Sequence, residues 1–191
     1  ATSASYSAPE TPPRMSRLGG KRMSEQLVLD PASGSRMFYF DKADPRVVFG
    51  DIRSEDHILC DGRSLSIRPD MEMDFRGLPL EGGAFRVVIF DPPHLVRVGD
   101  KAWMGKKYGK LDPLNWREDL RAGFAECFRV LADHGVLIFK WNETQIPVSQ
   151  ILALTPHAPL VGHRSGKTAK THWVTFLKAP ADVEIRRQDH A

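Results

Sequence analysis

Asp91-Pro92-Pro93-His94 is the stretch whose residue types and spacing point most directly to chemistry. It follows Val87-Val88-Ile89-Phe90, an apolar β-branched run that predicts a buried strand ending where the prolines begin. Two consecutive prolines fix φ and remove two N–H donors, leaving a stiff turn rich in free carbonyls. In open α/β sheets the carboxyl edge of the strands is where ligands bind. An acid, rigid carbonyls and a flat ring thus converge on one point. The acid can accept one hydrogen of a planar amino group, a carbonyl the other, and the ring can stack on the plane of the target.

Asp-Pro-Pro followed by a flat ring resembles the motif of S-adenosylmethionine-dependent amino methyltransferases, which methylate adenine N6 or cytosine N4. The likeness runs from Arg36-Met37-Phe38-Tyr39-Phe40-Asp41-Lys42 through Asp91-Pro92-Pro93-His94-Leu95 to Thr171-His172-Trp173, roughly residues 36–178. Over that span the chain is similar to small phage- and prophage-type methyltransferases of this class. In the family the tetrad usually ends in Tyr, Phe or Trp. Here it ends in His94, which is flat but smaller and able to protonate, and this leaves the target base open. The resemblance implies S-adenosyl-L-methionine as cofactor, no metal, and Asp91, Pro92, Pro93 and His94 as catalytic residues. For the cofactor it implies Asp51 on the ribose, Asp74-Phe75 on the adenine, and Asp41 near the amino-acid end, with Asp91 adjoining. Each acid also reads as an ordinary turn residue at a strand end. A glycine-rich loop after the first strand is expected, and only Gly50-Asp51 approximates it.

Between His94 and the next helix lie Leu95 to Pro113, read as an irregular loop. It holds Lys101, Trp103, Lys106, Lys107, Tyr108 and Lys110, and lysines interleaved with aromatics suit phosphate contacts with base stacking. A solvated lysine loop anchored by one aromatic fits the same residues. A second basic cluster, Arg164, Lys167 and Lys170, precedes Thr171-His172-Trp173 and would close over the site. Lys140-Trp141-Asn142 ends a later strand on the same rim; Trp141 would wall the pocket and Asn142 would read a base edge, or the two are a core Trp and a turn Asn.

The elements that must position these groups follow from periodicity. Strands are predicted at Met37–Phe40, Val47–Phe49, Met71–Asp74, Val87–Phe90, Val136–Phe139, Pro159–Gly162 and His172–Leu177, with a hairpin of His57–Cys60 and Leu65–Ile67 across Asp61-Gly62. Leu120, Phe124, Cys127, Phe128 and Leu131 make the apolar stripe of a helix from Leu114 to Leu131, closed by Asp133-His134-Gly135. A short helix is predicted over Val148–Leu154. Strand–helix–strand order with continuous apolar strands predicts an α/β protein with a mostly parallel sheet and helices on both faces. With an antiparallel last strand this is the Rossmann-like class I methyltransferase fold that the resemblance implies. Residues 1–30 read as a flexible N-terminal tail, 31–178 as the methyltransferase domain and 179–191 as a C-terminal tail.

At 191 residues the chain fits one domain, and 41% hydrophobic with 27% charged residues is ordinary for a globular protein. No run reaches the ~18–20 apolar residues of a membrane span, and two cysteines without ligand spacing fit a reduced, cytoplasmic protein without zinc. The net charge of +3 is compatible with a polyanion but does not require one. The expected activity is methyl transfer to an exocyclic nucleobase amine, adenine N6 in DNA first. Its partner would be nucleic acid, DNA before RNA, with a homodimer or a specificity partner supplying recognition and no membrane. The same chemistry on RNA or a small amine or amide, and a non-catalytic nucleic-acid-binding module, are the alternatives.

Overall fold

The computed structural model describes residues 17–18, 21–22, 27–59, 61–99, 103–164, 166 and 168–180. A two-residue pair, β1 (Arg17–Leu18) with β2 (Lys21–Arg22), lies inside the segment expected to be a tail. The domain core begins with β3 (Val28–Asp30), then β4 (Val47–Asp51), the hairpin β5 (Glu55–Ile58) and β6 (Ser64–Ile67), β7 (Met71–Glu72) and β8 (Phe85–Phe90). After them come α1 (Trp103–Tyr108), α2 (Trp116–Val130), β9 (Leu131–Asn142), α3 (Val148–Leu152), β10 (Val161–Arg164) and β11 (Thr171–Leu177). Seven strands form one sheet in the order β10-β11-β9-β8-β3-β4-β7. β9, β8, β3, β4 and β7 run parallel, β11 is antiparallel to β9, and β10 is antiparallel to β11.

The centre of that sheet corrects the sequence expectation. β3 pairs with both β4 and β8, so it lies inside the sheet, and the domain starts by residue 28 rather than 31. Met37–Phe40, expected to be the first strand, is a run of turns. Two of its three aromatic side chains pack onto the sheet instead: Tyr39 lies edge-on to Phe49 at 4.7 Å and Phe38 edge-on to Trp173 at 5.6 Å, while Phe40 is fully exposed. The apolar pattern is real, but burial of rings on the sheet, not strand pairing, is what it encodes.

Strand alternation sorts side chains onto two faces. Leu29, Val48, Val88, Phe90, Leu137, Phe139, Trp141, Val174 and Phe176 share one cluster, and both α2 and α3 bury their apolar sides in it. Phe124 of α2 sits 4.9 Å from Phe139 and 5.6 Å from Phe90. The opposite face is covered over β3 and β4 by the turns of residues 36–44, where a layer of helices was expected. The predicted glycine cap of the long helix is also displaced. α2 ends at Val130, Leu131 is already extended, and Asp133-His134-Gly135 lies inside β9. There the register jumps from Phe85↔Leu131 to Val87↔Val136, and the bulge holds His134 at φ 61°.

Candidate active site

The register explains the centre of the site. Phe90 pairs with Phe139, so Asp91 and Lys140 come next to one another on the face away from α2. Lys140 also pairs with Trp173 across β11. Lys140 Nζ forms an ion pair with Asp91 Oδ2, both side chains being one-fifth exposed. The ammonium stands 5.0 Å from the Phe38 ring and 5.7 Å from that of Trp173. Burial raises the Asp91 carboxyl above the usual carboxylate range, and the lysine charge works against that rise.

His94 leaves the Pro92-Pro93 turn with its ring 5.3 Å from Tyr108 and 6.3 Å from Trp141. Burial, with a smaller contribution from Lys140, lowers its pKa to about 4. The imidazole is therefore neutral at neutral pH and serves as a flat, uncharged surface. Tyr108 ends α1, and the chain turns away at Gly109, whose φ is +73° and where a Cβ would stand 3.0 Å from Pro93. A side chain there would push α1 off the tetrad.

Three cavities meet at Asp91 and Tyr108, which line all of them. The largest, about 380 Å³, is walled by Phe38, His94, Met104, Lys140, Asn142 and Thr171. Two small ones, about 40 Å³ each, adjoin it at Asp91 and Tyr108. One is lined by Ala32, Ser33, Gly34 and Ser35, the other by Pro31, Asp51, Arg53, Phe75 and Pro93. The segment Pro31-Ala32-Ser33-Gly34-Ser35 is the turn after β3, with Gly34 at φ +51°. This glycine-bearing turn follows the first strand of the seven-stranded sheet in chain order, whereas Gly50-Asp51 ends β4.

Around that turn the polar groups are unusual. Asp30 is fully buried, accepts a hydrogen bond from Tyr39 Oη at 2.8 Å and one from Ala32 N at 3.2 Å, and is raised to about 7 chiefly by burial. The nearby Asp91 and Asp51 charges add to that rise. Burial beside Asp30 pushes the Tyr39 phenol up as well. Asp51 is buried and accepts from Gly34 N at 2.9 Å and from Arg53 N and Nε at 2.9 and 3.1 Å. Arg53 reaches on to the Lys106 carbonyl at 2.9 Å, tying α1 to the end of β4. Ser33 Oγ is buried with no hydrogen-bond partner among the described residues.

Not every expected residue arrives here. Asp91, Pro92, Pro93, His94, Asp51, Phe75, Lys107 and Tyr108 line the cavities. Asp41 does not: its carboxylate closes its own turn on Ala43 N at 2.8 Å. Asp74 is held by the Arg76 guanidinium, which also grips Asp119 on α2, and that pairing lowers its pKa. Gly50 is inside β4, where a Cβ would strike the Met73 side chain at 2.5 Å, so it is a packing glycine and not a phosphate- or cofactor-type loop. Trp141 is fully buried beneath His94 and donates its Nε1–H to the Ile146 carbonyl. Asn142 lines the large cavity, but its amide is committed to Thr171 Oγ1 and to Thr144 N. Trp103 is two-fifths exposed on α1, with Lys107 Nζ 5.6 Å from its ring. Lys106 and Lys110 are outside the cavity linings, and Lys101 and Lys167 lie outside the described residues. The stretch from Leu95 to Pro113, expected to be irregular, contains α1.

Asp30, Ser33, Phe38, Arg53 and Lys140 escape the sequence reasoning. Leu27-Val28-Leu29 ended by Asp30-Pro31 is the available signal for the first two. Lys140 has one as well, since it ends an apolar strand in register with the one before Asp91.

No protein-family model matches the sequence, and no curated protein matches it. Solved structures do. The chain is similar to the PH0226 protein from Pyrococcus horikoshii OT3, at 16% identity and a TM-score of 0.52, over 82% of this chain and 84% of that one. It also aligns with a SAM-dependent methyltransferase from Methanosarcina mazei at 9% identity and a TM-score of 0.46, covering 81% and 93%. The antibiotic-resistance methyltransferase Kmr aligns at 15% and 0.44, covering 84% and 89%. Identities this low speak of the fold alone. With its strand order and antiparallel edge, the chain has a Rossmann-like α/β fold.

Proposed function

We propose that this chain is an S-adenosylmethionine-dependent methyltransferase acting on an exocyclic nucleobase amine, with adenine N6 in DNA as the first target. The observation that carries the reading is the position of Asp91. Asp91 lines both the small cavities beside the 31–35 turn and the large one, which Lys140, Asn142 and Thr171 also wall. A donor held in the first and an acceptor in the second would meet at it. The residues around the small cavities fit the cofactor. Asp51 is a buried carboxylate suited to ribose hydroxyls, Ser33 Oγ is a buried polar atom in need of a partner, and Phe75 offers a flat apolar wall. When bound there, S-adenosylmethionine supplies the methyl group on a sulfonium.

The chain's own residues supply position. Asp91 accepts one amine hydrogen and turns the nitrogen lone pair towards the cofactor side. The Pro92 carbonyl takes the second hydrogen. Phe38, His94 and Tyr108 flank the base, and a duplex target is flipped out to reach them. The neutral His94 ring matters here, since a charged imidazolium would repel Lys140 and be a poorer stacking surface. Incubating the protein and cofactor with DNA and RNA and analysing the nucleosides by mass spectrometry tests the reading. The expected result is a new N-methylated adenine or cytosine that depends on Asp91. Methylation of neither nucleic acid overturns it.

A further inference from the structure

The Asp91–Lys140 pair has a polarity that a lone catalytic acid would not need. The only hydrogen bond from the Lys140 ammonium among the described residues goes to Asp91 Oδ2, leaving two N–H donors beside the large cavity. Asp91 Oδ1 has no hydrogen-bond partner among the described residues. The cavity thus presents, side by side, a carboxylate acceptor and an ammonium donor, between aromatic rings. Asn142, the residue expected to read a base edge, has its Oδ1 taken by Thr144 N and one Nδ2–H by Thr171 Oγ1.

We infer that Lys140 is a specificity-determining residue that donates to the unprotonated ring nitrogen next to the target amine. Asp91 and Lys140 together then read an amine-donor and ring-acceptor pair. Adenine offers it as N6 and N1, cytosine as N4 and N3, whereas an aliphatic amine has no acceptor beside its nitrogen. The inference rests on the proposed function and deepens it, naming the edge by which the base is held. A purely positioning lysine would keep Asp91 ionised and care nothing for the ring nitrogen. The contact acts in binding and orientation, because a donor on the ring nitrogen does not make the neighbouring amine more nucleophilic.

The test uses oligonucleotides differing in one atom: adenine against 1-deazaadenine, and cytosine against 3-deazacytosine, where C–H replaces the acceptor. The quantity read is the ratio of kcat/KM for the natural and the deaza base, in the parent and in Lys140→Met. The parent is expected to prefer the natural base by about tenfold or more, the scale of a hydrogen bond from a charged donor. Lys140→Met should bring the ratio below about threefold, and Lys140→Arg, which keeps a donor, should retain the preference. No preference in the parent overturns the inference without any variant. A preference that survives Lys140→Met, with both substrates slowed alike, also overturns it and leaves Lys140 as a positioning residue. A parent that methylates no base at all refutes the proposed function, and the inference falls with it.

Discussion

Asp30, fully buried, and His94, half-buried, are titratable groups of opposite sign, and their removal should tilt the pH dependence of stability in opposite directions. The Asp30 carboxyl is raised from 3.8 to about 7, so the native chain holds a proton there that the unfolded chain has lost. That contribution is complete below the unfolded value and disappears as pH rises through the folded one. Between about pH 5 and pH 8 it amounts to roughly 2–3 kcal/mol of stability lost. His94 is lowered from 6.5 to about 4, so the unfolded chain takes up a proton that the native one refuses. Its contribution is present above the unfolded value and lost as pH falls, costing roughly 2 kcal/mol by about pH 5. In the parent the two oppose one another, with the raised Asp91 adding to the Asp30 side. Urea unfolding at a series of pH values reads the change that each variant makes to the parent profile. Asp30→Asn should make stability climb from acid to neutral pH, and His94→Phe should make it fall. Profiles of parent and variants that run parallel would refute the buried, protonated Asp30 and the neutral His94.

Asp91→Ala should abolish methyl transfer while leaving cofactor affinity within a few-fold, as read by turnover and by calorimetric titration; unchanged turnover would remove the tetrad from the chemistry. Asp51→Ala should weaken cofactor binding by about tenfold or more, the scale of a buried charge-assisted hydrogen bond, whereas Asp74→Ala should leave it unchanged because its carboxylate is occupied by Arg76 outside the cavities. The reverse ranking would show that the adenine end lies over the 74–76 turn. Replacing Lys107 and Lys110 together should flatten the salt dependence of nucleic-acid binding by about 0.7–0.9 in log–log slope for each phosphate no longer neutralised, with cofactor affinity unmoved. An unaltered slope would make the basic segment a solvated face only.

How much of this is legible in the sequence depends on length and on what breaks each element. The strand before Asp91 and the helix stripe from Leu120 to Phe128 are long enough for periodicity to read, and both stand where expected. β3 is not legible. Its three residues follow the polar run Ser24-Glu25-Gln26 by one leucine and end at Asp30-Pro31, too few for alternation to register. Without it the sheet reads as starting at Met37–Phe40, whose Phe38 and Tyr39 cover the sheet rather than join it, and the 31–35 turn stays hidden. Acids are the least readable class. Asp41, Asp51 and Asp74 look alike in sequence, yet only Asp51 is buried, and the difference lies in partners tens of residues away or in the local turn.

One physical rule links the residues that the sequence reveals with those it hides. Alternation along a strand puts every second side chain on one face, and parallel pairing aligns the strands' carboxyl ends. Asp30 ends β3, Asp51 ends β4, Asp91 follows β8 and Lys140 lies near the end of β9, all on the face that α2 and α3 leave uncovered. Three carboxyls are thereby crowded at one edge, and each is settled differently. Asp51 is held by Arg53 and a backbone N–H, Asp91 by Lys140, and Asp30, with no cation of its own, by keeping its proton. Mutual repulsion makes these solutions interdependent, since the Asp91 and Asp51 charges help to hold Asp30 neutral. A cation brought to the 31–35 turn would reverse that balance and favour ionised Asp30. Binding of a cofactor that carries a sulfonium and an ammonium should then release a proton near neutral pH. Calorimetric titration in buffers of different ionisation enthalpy reads that proton directly, and Asp30→Asn should abolish its release. A binding heat that does not vary with the buffer in the parent would show that the cofactor's charge leaves Asp30 untouched.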